Sequence, residues 1–233
     1  MLLSQLHHGL IVSCQAPVES PLHDPNVIAA IARASVDRGA VGVRIDTPAH
    51  VAAVRQRLPD TPIVGLWKQV IPGYEVYITP QFHHAQAIAA AGADMIAIDA
   101  TTRSRPDGET FASLVRRVHE ELGKLVMADI DTLEAAIAAE AAGADCVGTT
   151  LYGYTATTKH LSPPGFDLLA QLVDRLQVPV ICEGGIASPA MARQALDWGA
   201  DAIVVGTAIT GIDLLVQAYR EAIKSRSSTE SAL

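Results

Sequence analysis

The sequence predicts a (β/α)8 TIM barrel, and three observations lead there. A phrase made of a helix-ending glycine, a small residue and a short apolar run returns four times: "DRGAVGVRID" at 37–46, "AAGADMIAID" at 90–99, "AAGADCVGTT" at 141–150 and "DWGADAIVVG" at 197–206. Four more apolar runs alternate with these copies: "LIVSCQA" (10–16), "PIVGLWK" (62–68), "KLVMADI" (124–130) and "VPVICEG" (178–184). The strand starts recur at intervals of roughly 20 to 33 residues, the length of one strand-plus-helix unit. Glycine at the helix C′ position followed by a buried parallel strand accounts for the repeated phrase. Eight such units fill a chain of 233 residues, close to the roughly 200–250 residues of this barrel. A doubly wound sheet has fewer strands, and no GxGxxG fingerprint follows the first one. Solenoid repeats have a tighter period and capping units.

In chain order, "MLLSQLHHGL" opens as a short helix over 1–8, without the basic and long apolar regions of a signal peptide. Strand one follows, then the helix of "DPNVIAAIARASVDRG", strand two, strand three, and the helix of "TPQFHHAQAIAAAGAD" before strand four. Strands five to eight continue the alternation, and the polar "KSRSSTESAL" is a fraying tail from about residue 225. One domain spans 1–233.

A net charge of −8 without a basic stripe excludes a general nucleic-acid binder. An anionic small molecule remains compatible, because backbone dipoles and a few cations hold one locally. No apolar run reaches the roughly 18 residues of a membrane span. Cys14, Cys146 and Cys182 lie in apolar runs and read as reduced core thiols, which places the protein in the cytoplasm.

Barrel chemistry gathers at the C-terminal strand tips. These carry Gln15, Arg44 with Asp46, Lys68, Asp99, Asp129 with Asp131, Thr149 with Thr150, Glu183, and Gly206 with Thr207. A nearly complete polar ring is notable in a chain with 18% charged residues. Gln15, Lys68, Asp129 and Glu183 come from odd strands, so they can share one layer, with Lys68 and Glu183 facing each other across the mouth. A buried ion pair of Lys68 with Asp129 or Glu183 is the structural alternative; such pairs contribute little stability. Arg44 either grips a substrate oxygen or neutralises Asp46 or Asp129.

Gly184 and Gly185 after strand seven, and Gly206 and Thr207 after strand eight, match the place where barrels bind phosphate through backbone N–H groups. The ligand expected is a phosphorylated small molecule, with its reactive carbon between Lys68 and Glu183. The histidines lack metal-ligand spacing, so no metal is expected, and His83-His84 read as a solvated helix face. The loop "YGYTATTKHLSPPG" is long enough for a lid, lined by Tyr154 and Thr157; His160 is a lid contact or surface. Arg103 and Arg105, in "TTRSRPDG", reach the mouth as structural or substrate-gripping groups.

From about Leu6 to Ala222 the chain resembles the N-acetylmannosamine-6-phosphate 2-epimerases, enzymes of amino-sugar and sialic acid catabolism. The likeness rests on the ordered set "SCQA", "GVRI", "GLWK", "EVYITP", "IDATTRSRPDG", "MADID", "GTTLYGYT", "EGGI" and "VVGTAIT". It implies a metal-free and cofactor-free barrel of the ribulose-phosphate-binding type, acting on an amino-sugar phosphate as a homodimer. The reaction would exchange the proton at C2 of N-acetylmannosamine 6-phosphate and N-acetylglucosamine 6-phosphate. Lys68 would be the main proton-transfer group and Glu183 its acid/base partner. Gln15, Arg44 and Asp129 match substrate-contacting positions, and Gly184, Gly185, Gly206 and Thr207 match phosphate-binding turns. Many members carry arginine where this chain has Gly211, which implies a different or weaker phosphate grip. The C2 proton is acidic only beside a C1 carbonyl, so the open-chain sugar is the reacting form. Lys68 must lose its proton first; Arg44 favours that loss, Asp129 and Glu183 oppose it, and the sum stays open. Whether one base or two serve the two faces of C2 also stays open.

Overall fold

The computed structural model describes residues 2–224. Helix α1 (Leu2–Leu6) precedes strand β1 (Leu10–Cys14), and the strands that follow are β2 (Gly42–Asp46), β3 (Ile63–Leu66), β4 (Met95–Asp99), β5 (Leu125–Asp129), β6 (Cys146–Gly148), β7 (Val180–Glu183) and β8 (Ala202–Val205). They pair in parallel and in sequence order, and β8 closes on β1, giving an eight-stranded barrel. Around it run α2 (Pro25–Val36), α3 (Pro48–Arg57), α4 (Phe82–Ala90), α5 (Phe111–Arg117), α6 (Leu133–Ala141), α7 (Phe166–Arg175) and α8 (Pro189–Asp197). The short α9 (Thr207–Thr210) and the longer α10 (Ile212–Lys224) end the described chain. The expected tail from about residue 225 lies outside the described residues.

Local chemistry sets these boundaries. Asp24, Thr47 and Ser188 cap α2, α3 and α8 through their side chains, and each is followed by proline at the first helical position, where its missing N–H costs nothing. At the other end, the glycine of the repeated phrase adopts positive φ in all four copies: 99° at Gly39, 106° at Gly92, 93° at Gly143 and 96° at Gly199. The aspartate after it in three copies has a task of its own. Asp94, Asp145 and Asp201 accept hydrogen bonds from an N–H at the start of the preceding strand, at Ile63 (2.9 Å) and Val180 (2.8 Å), the first residues of β3 and β7, and at Val126 (2.7 Å), the second of β5. These groups tie strand to strand at the N-terminal face.

Alternation along the strands divides the core. Ile11, Val64, Leu66, Met95, Met127, Cys146, Ile181 and Val204 fill the barrel, while the opposite faces pack under the helices in two further clusters. The three cysteines are buried, and burial raises the Cys14 and Cys182 thiols to about 12 and about 11, leaving them inert core groups.

Candidate active site

The ring of polar tips is real, but it is built on two levels rather than one layer. Arg44 pairs in register with Val64 of β3, well below the tips, and its long side chain crosses the barrel to β5 and β7. It grips Asp129 with both terminal nitrogens, at 2.6 and 3.1 Å, and approaches Glu183 Oε2 at 3.1 Å. An even strand thus enters what alternate-strand reasoning assigned to odd strands alone. Of the readings of Arg44, the ion pair is formed with Asp129 and also with Glu183. Its Nε has no partner.

Glu183 is held from both ends. The Thr149 hydroxyl donates to its carbonyl oxygen and accepts from its N–H, at 2.8 and 3.0 Å. The Thr150 hydroxyl lies 2.7 Å from Asp129 Oδ1 and 3.1 Å from Glu183 Oε2. With Asp129 fully buried and Arg44 only 1% exposed, this cluster forms the floor of the mouth.

Lys68 lies one storey higher, two residues past the end of β3. Its Nζ donates to Gln15 Oε1 at 2.5 Å, while the Gln15 amide nitrogen donates to the buried Ser13 hydroxyl at 2.9 Å, which fixes the amide's orientation. In a closed ring of eight, β3 and β7 are opposite, so Lys68 and Glu183 belong to facing staves. The segment after Lys68 doubles back. Lys68 bridges Ile78 in antiparallel fashion, and the Gln69 N–H donates to the Tyr77 carbonyl. This return places Tyr77 near Asp99, Asp129, Arg44 and Arg103.

Electrostatics follow from this crowding. Burial and the nearby Asp129 anion raise Glu183 to about 7, against the opposing pull of Arg44. Lys68 is lowered, chiefly by burial among protein atoms, with Asp46 working against the shift and Arg44 adding to it. The lysine nonetheless faces solvent through the open mouth. Burial would also lower Arg44, but Asp129 and Glu183 overcome it and the net shift is upward, so the guanidinium keeps its charge. Burial and the Asp129 and Asp99 anions push Tyr77 up to about 12.

The two glycine turns flank this centre. Gly184 and Gly185 have φ of 95° and 68°. Gly206 caps α9, which the Thr210 hydroxyl ties to the Ser13 carbonyl at 2.7 Å. A side chain at Gly211 would start 2.8 Å from the Thr207 Cα, so this α9 is packed around a glycine. Tyr154 is 58% exposed and its ring borders Gly184; Thr157 and His160 are exposed. The long loop after β6 is anchored by Thr155, whose hydroxyl donates to Asp131 at 2.7 Å.

Arg103 spends its guanidinium on the chain itself, bonding to Asp99, the Thr101 hydroxyl and the Glu75 carbonyl. Arg105 is buried and donates to the Pro80 carbonyl. Both are held by contacts within the chain, with Arg105 Nη2 left without a partner. The reading of His83-His84 needs correction. His83 is exposed, but His84 is 5% exposed and packs edge-on against Trp67, because residue 84 falls on the barrel-facing side of α4. Asp46, Tyr77 and Thr150 also border the site. Asp46 and Thr150 stood among the strand tips, whereas Tyr77 lies between elements, where no strand pattern marks it.

Fold and site together define a (β/α)8-barrel protein with a cluster of charged side chains at the C-terminal mouth of the barrel. The chain belongs to the N-acetylmannosamine-6-phosphate epimerase family: residues 28–225 match the family model described as "Putative N-acetylmannosamine-6-phosphate epimerase". A relative from Synechococcus elongatus, described as the 2-epimerase of that name, is 65% identical over 96% of this chain and 97% of its own. One from Cutibacterium acnes is 41% identical, again over 96% and 97%. Among solved structures, the N-acetylmannosamine-6-phosphate 2-epimerase from Clostridium perfringens superimposes with a TM-score of 0.91 at 38% identity, over 95% of this chain and 96% of that one. The 3-hexulose-6-phosphate synthase from Salmonella typhimurium shares the fold at 21% identity, with a TM-score of 0.62.

Proposed function

We propose that this protein interconverts N-acetylmannosamine 6-phosphate and N-acetylglucosamine 6-phosphate by removing the C2 proton and returning it to the other face. The observation that carries the reading is the opposed pair at the mouth, a lysine whose amine is depressed and a glutamate raised to about 7. Such shifts bring a base and an acid toward the pH at which both work. Lys68, steadied by Gln15, takes the proton from the open-chain sugar, and Glu183 faces it as the partner acid. The unpartnered Arg44 Nε is a donor for an oxygen that the chain does not itself supply, since buried N–H groups are otherwise paired. Backbone N–H groups of Gly184, Gly185, Gly206 and Thr207 receive the phosphate, with Tyr154 at its rim.

Lys68→Ala is expected to bind the sugar phosphate and to lose C2 exchange with deuterated water by about 10⁴-fold, the upper range for a general base. Exchange at the wild-type rate, followed by proton NMR, would remove Lys68 from the mechanism.

The protein works as a homodimer in the cytoplasm, within amino-sugar and sialic acid breakdown. Support for the dimer comes from α10, in which no residue is buried. Its Ile212, Leu214, Val216, Tyr219 and Ile223 expose an apolar face that a second copy would cover. The buried thiols favour the reducing compartment.

A further inference from the structure

The end of β2 bears a feature that the proton-transfer scheme does not use. Thr47, a β-branched residue, has φ 71° and ψ 145°, a backbone state that side chains rarely enter and that persists where the surroundings over-determine it. Here the Thr47 N–H donates to the Leu66 carbonyl at 3.0 Å, and its hydroxyl accepts from the His50 N–H at 3.3 Å. The residue before it is Asp46, whose Oδ1 accepts from the Lys68 backbone N–H at 3.0 Å. Lys68 lies beyond the ladder of β3, so this carboxylate takes over where strand pairing stops. The amine points instead to Gln15.

We infer that Asp46 is a positioning residue for the reaction: its carboxylate seats the Lys68 backbone at the end of β3 and supplies the negative charge against which the lysine amine is set. This rests on the reading of Lys68 as the C2 base. The charged groups acting on Lys68 are Asp46 and Arg44 from β2, Asp129 from β5 and Glu183 from β7, and Asp46 is the strongest of them. Burial raises the Asp46 carboxyl, and Lys68 is the first of the groups that oppose the rise; His50 of α3, itself lowered by burial, adds to that opposition only when protonated. Asp46 thus performs two tasks that substitution can separate. Asparagine keeps an oxygen for the Lys68 N–H and removes the charge, whereas alanine removes both.

The test is competitive labelling of the full-length protein with acetic anhydride across a pH series, reading acetylation of Lys68 by mass spectrometry, together with steady-state kinetics on N-acetylmannosamine 6-phosphate. In Asp46→Asn the midpoint for Lys68 labelling moves to lower pH, and the acid limb of kcat/KM moves with it. In Asp46→Ala kcat falls by about 10²-fold, the scale of a misplaced catalytic group, while KM stays near the wild-type value. An unmoved labelling midpoint in Asp46→Asn, or normal kcat in Asp46→Ala, overturns the inference. Labelling needs no turnover, so a midpoint that shifts in a protein without epimerase activity would sink the proposed reaction, and with it the catalytic part of the inference, leaving only the placement of Lys68 by Asp46.

Discussion

Glu183 shows most directly how one environment serves both folding and chemistry. An ordinary glutamate of pKa 4.5 is raised here to about 7 by burial and by Asp129, so between those values the folded protein holds a proton that the unfolded chain releases. The unfolded state therefore binds fewer protons, and stability falls as pH rises through that window. Below pH 4.5 both states are protonated and no penalty applies, whereas above about 7 the penalty of a buried, ionised Glu183 is complete, on the order of 3 kcal/mol. Glu183→Gln cannot titrate. Its stability relative to wild type is expected to climb between pH 4.5 and 7 and then level off, while turnover falls severely at every pH. Urea melts across the window check this; parallel curves for the two proteins would mean that Glu183 ionises normally.

The elements divide the labour between the two ends of the barrel. At the N-terminal face Asp145 satisfies the Val126 N–H, so Asp145→Ala is expected to cost about 1–3 kcal/mol, the price of a buried donor left unpaired, with KM unchanged. At the other face, Gly185 has φ 68°, and an added Cβ would lie 2.5–2.8 Å from Pro163, including its backbone. Gly185→Ala should both destabilise the protein and raise KM for the sugar phosphate, because the turn after β7 cannot keep its shape. Thermal melts and kinetics on the pair distinguish a scaffold position from a site position. This division also explains what could be read in advance. The repeated glycine phrase marks four helix ends with the strands that follow, and the apolar runs between its copies mark the other four, so the eight strands and their tips are legible. The Arg44 clasp on Asp129 and Glu183 joins residues 85 positions apart and more, and it depends on side-chain length rather than strand parity. Tyr77 reaches the site only because the chain folds back on Lys68, a contact without a periodic signature.

At the scale of the whole molecule, the barrel is closed and its interior filled, yet the last helix of the described residues, α10, is left over. α10 runs 13 residues with every one at least partly exposed, Tyr219 at 72% and Ile223 at 73%. A helix this short gains little stability alone in water, since most helical stability comes from packing an apolar face. Its persistence calls for a surface to lie on, and a symmetric second copy is the commonest such partner. Light scattering is expected to give twice the 24.5 kDa chain mass for the wild type. In the double variant Val216→Glu, Tyr219→Glu, charge on the apolar face should make burial against a partner too costly and return a monomer whose barrel, judged by circular dichroism, is intact. A dimer that survives both changes would show that the assembly uses another face, and α10 would then need a different partner to account for its exposed apolar side.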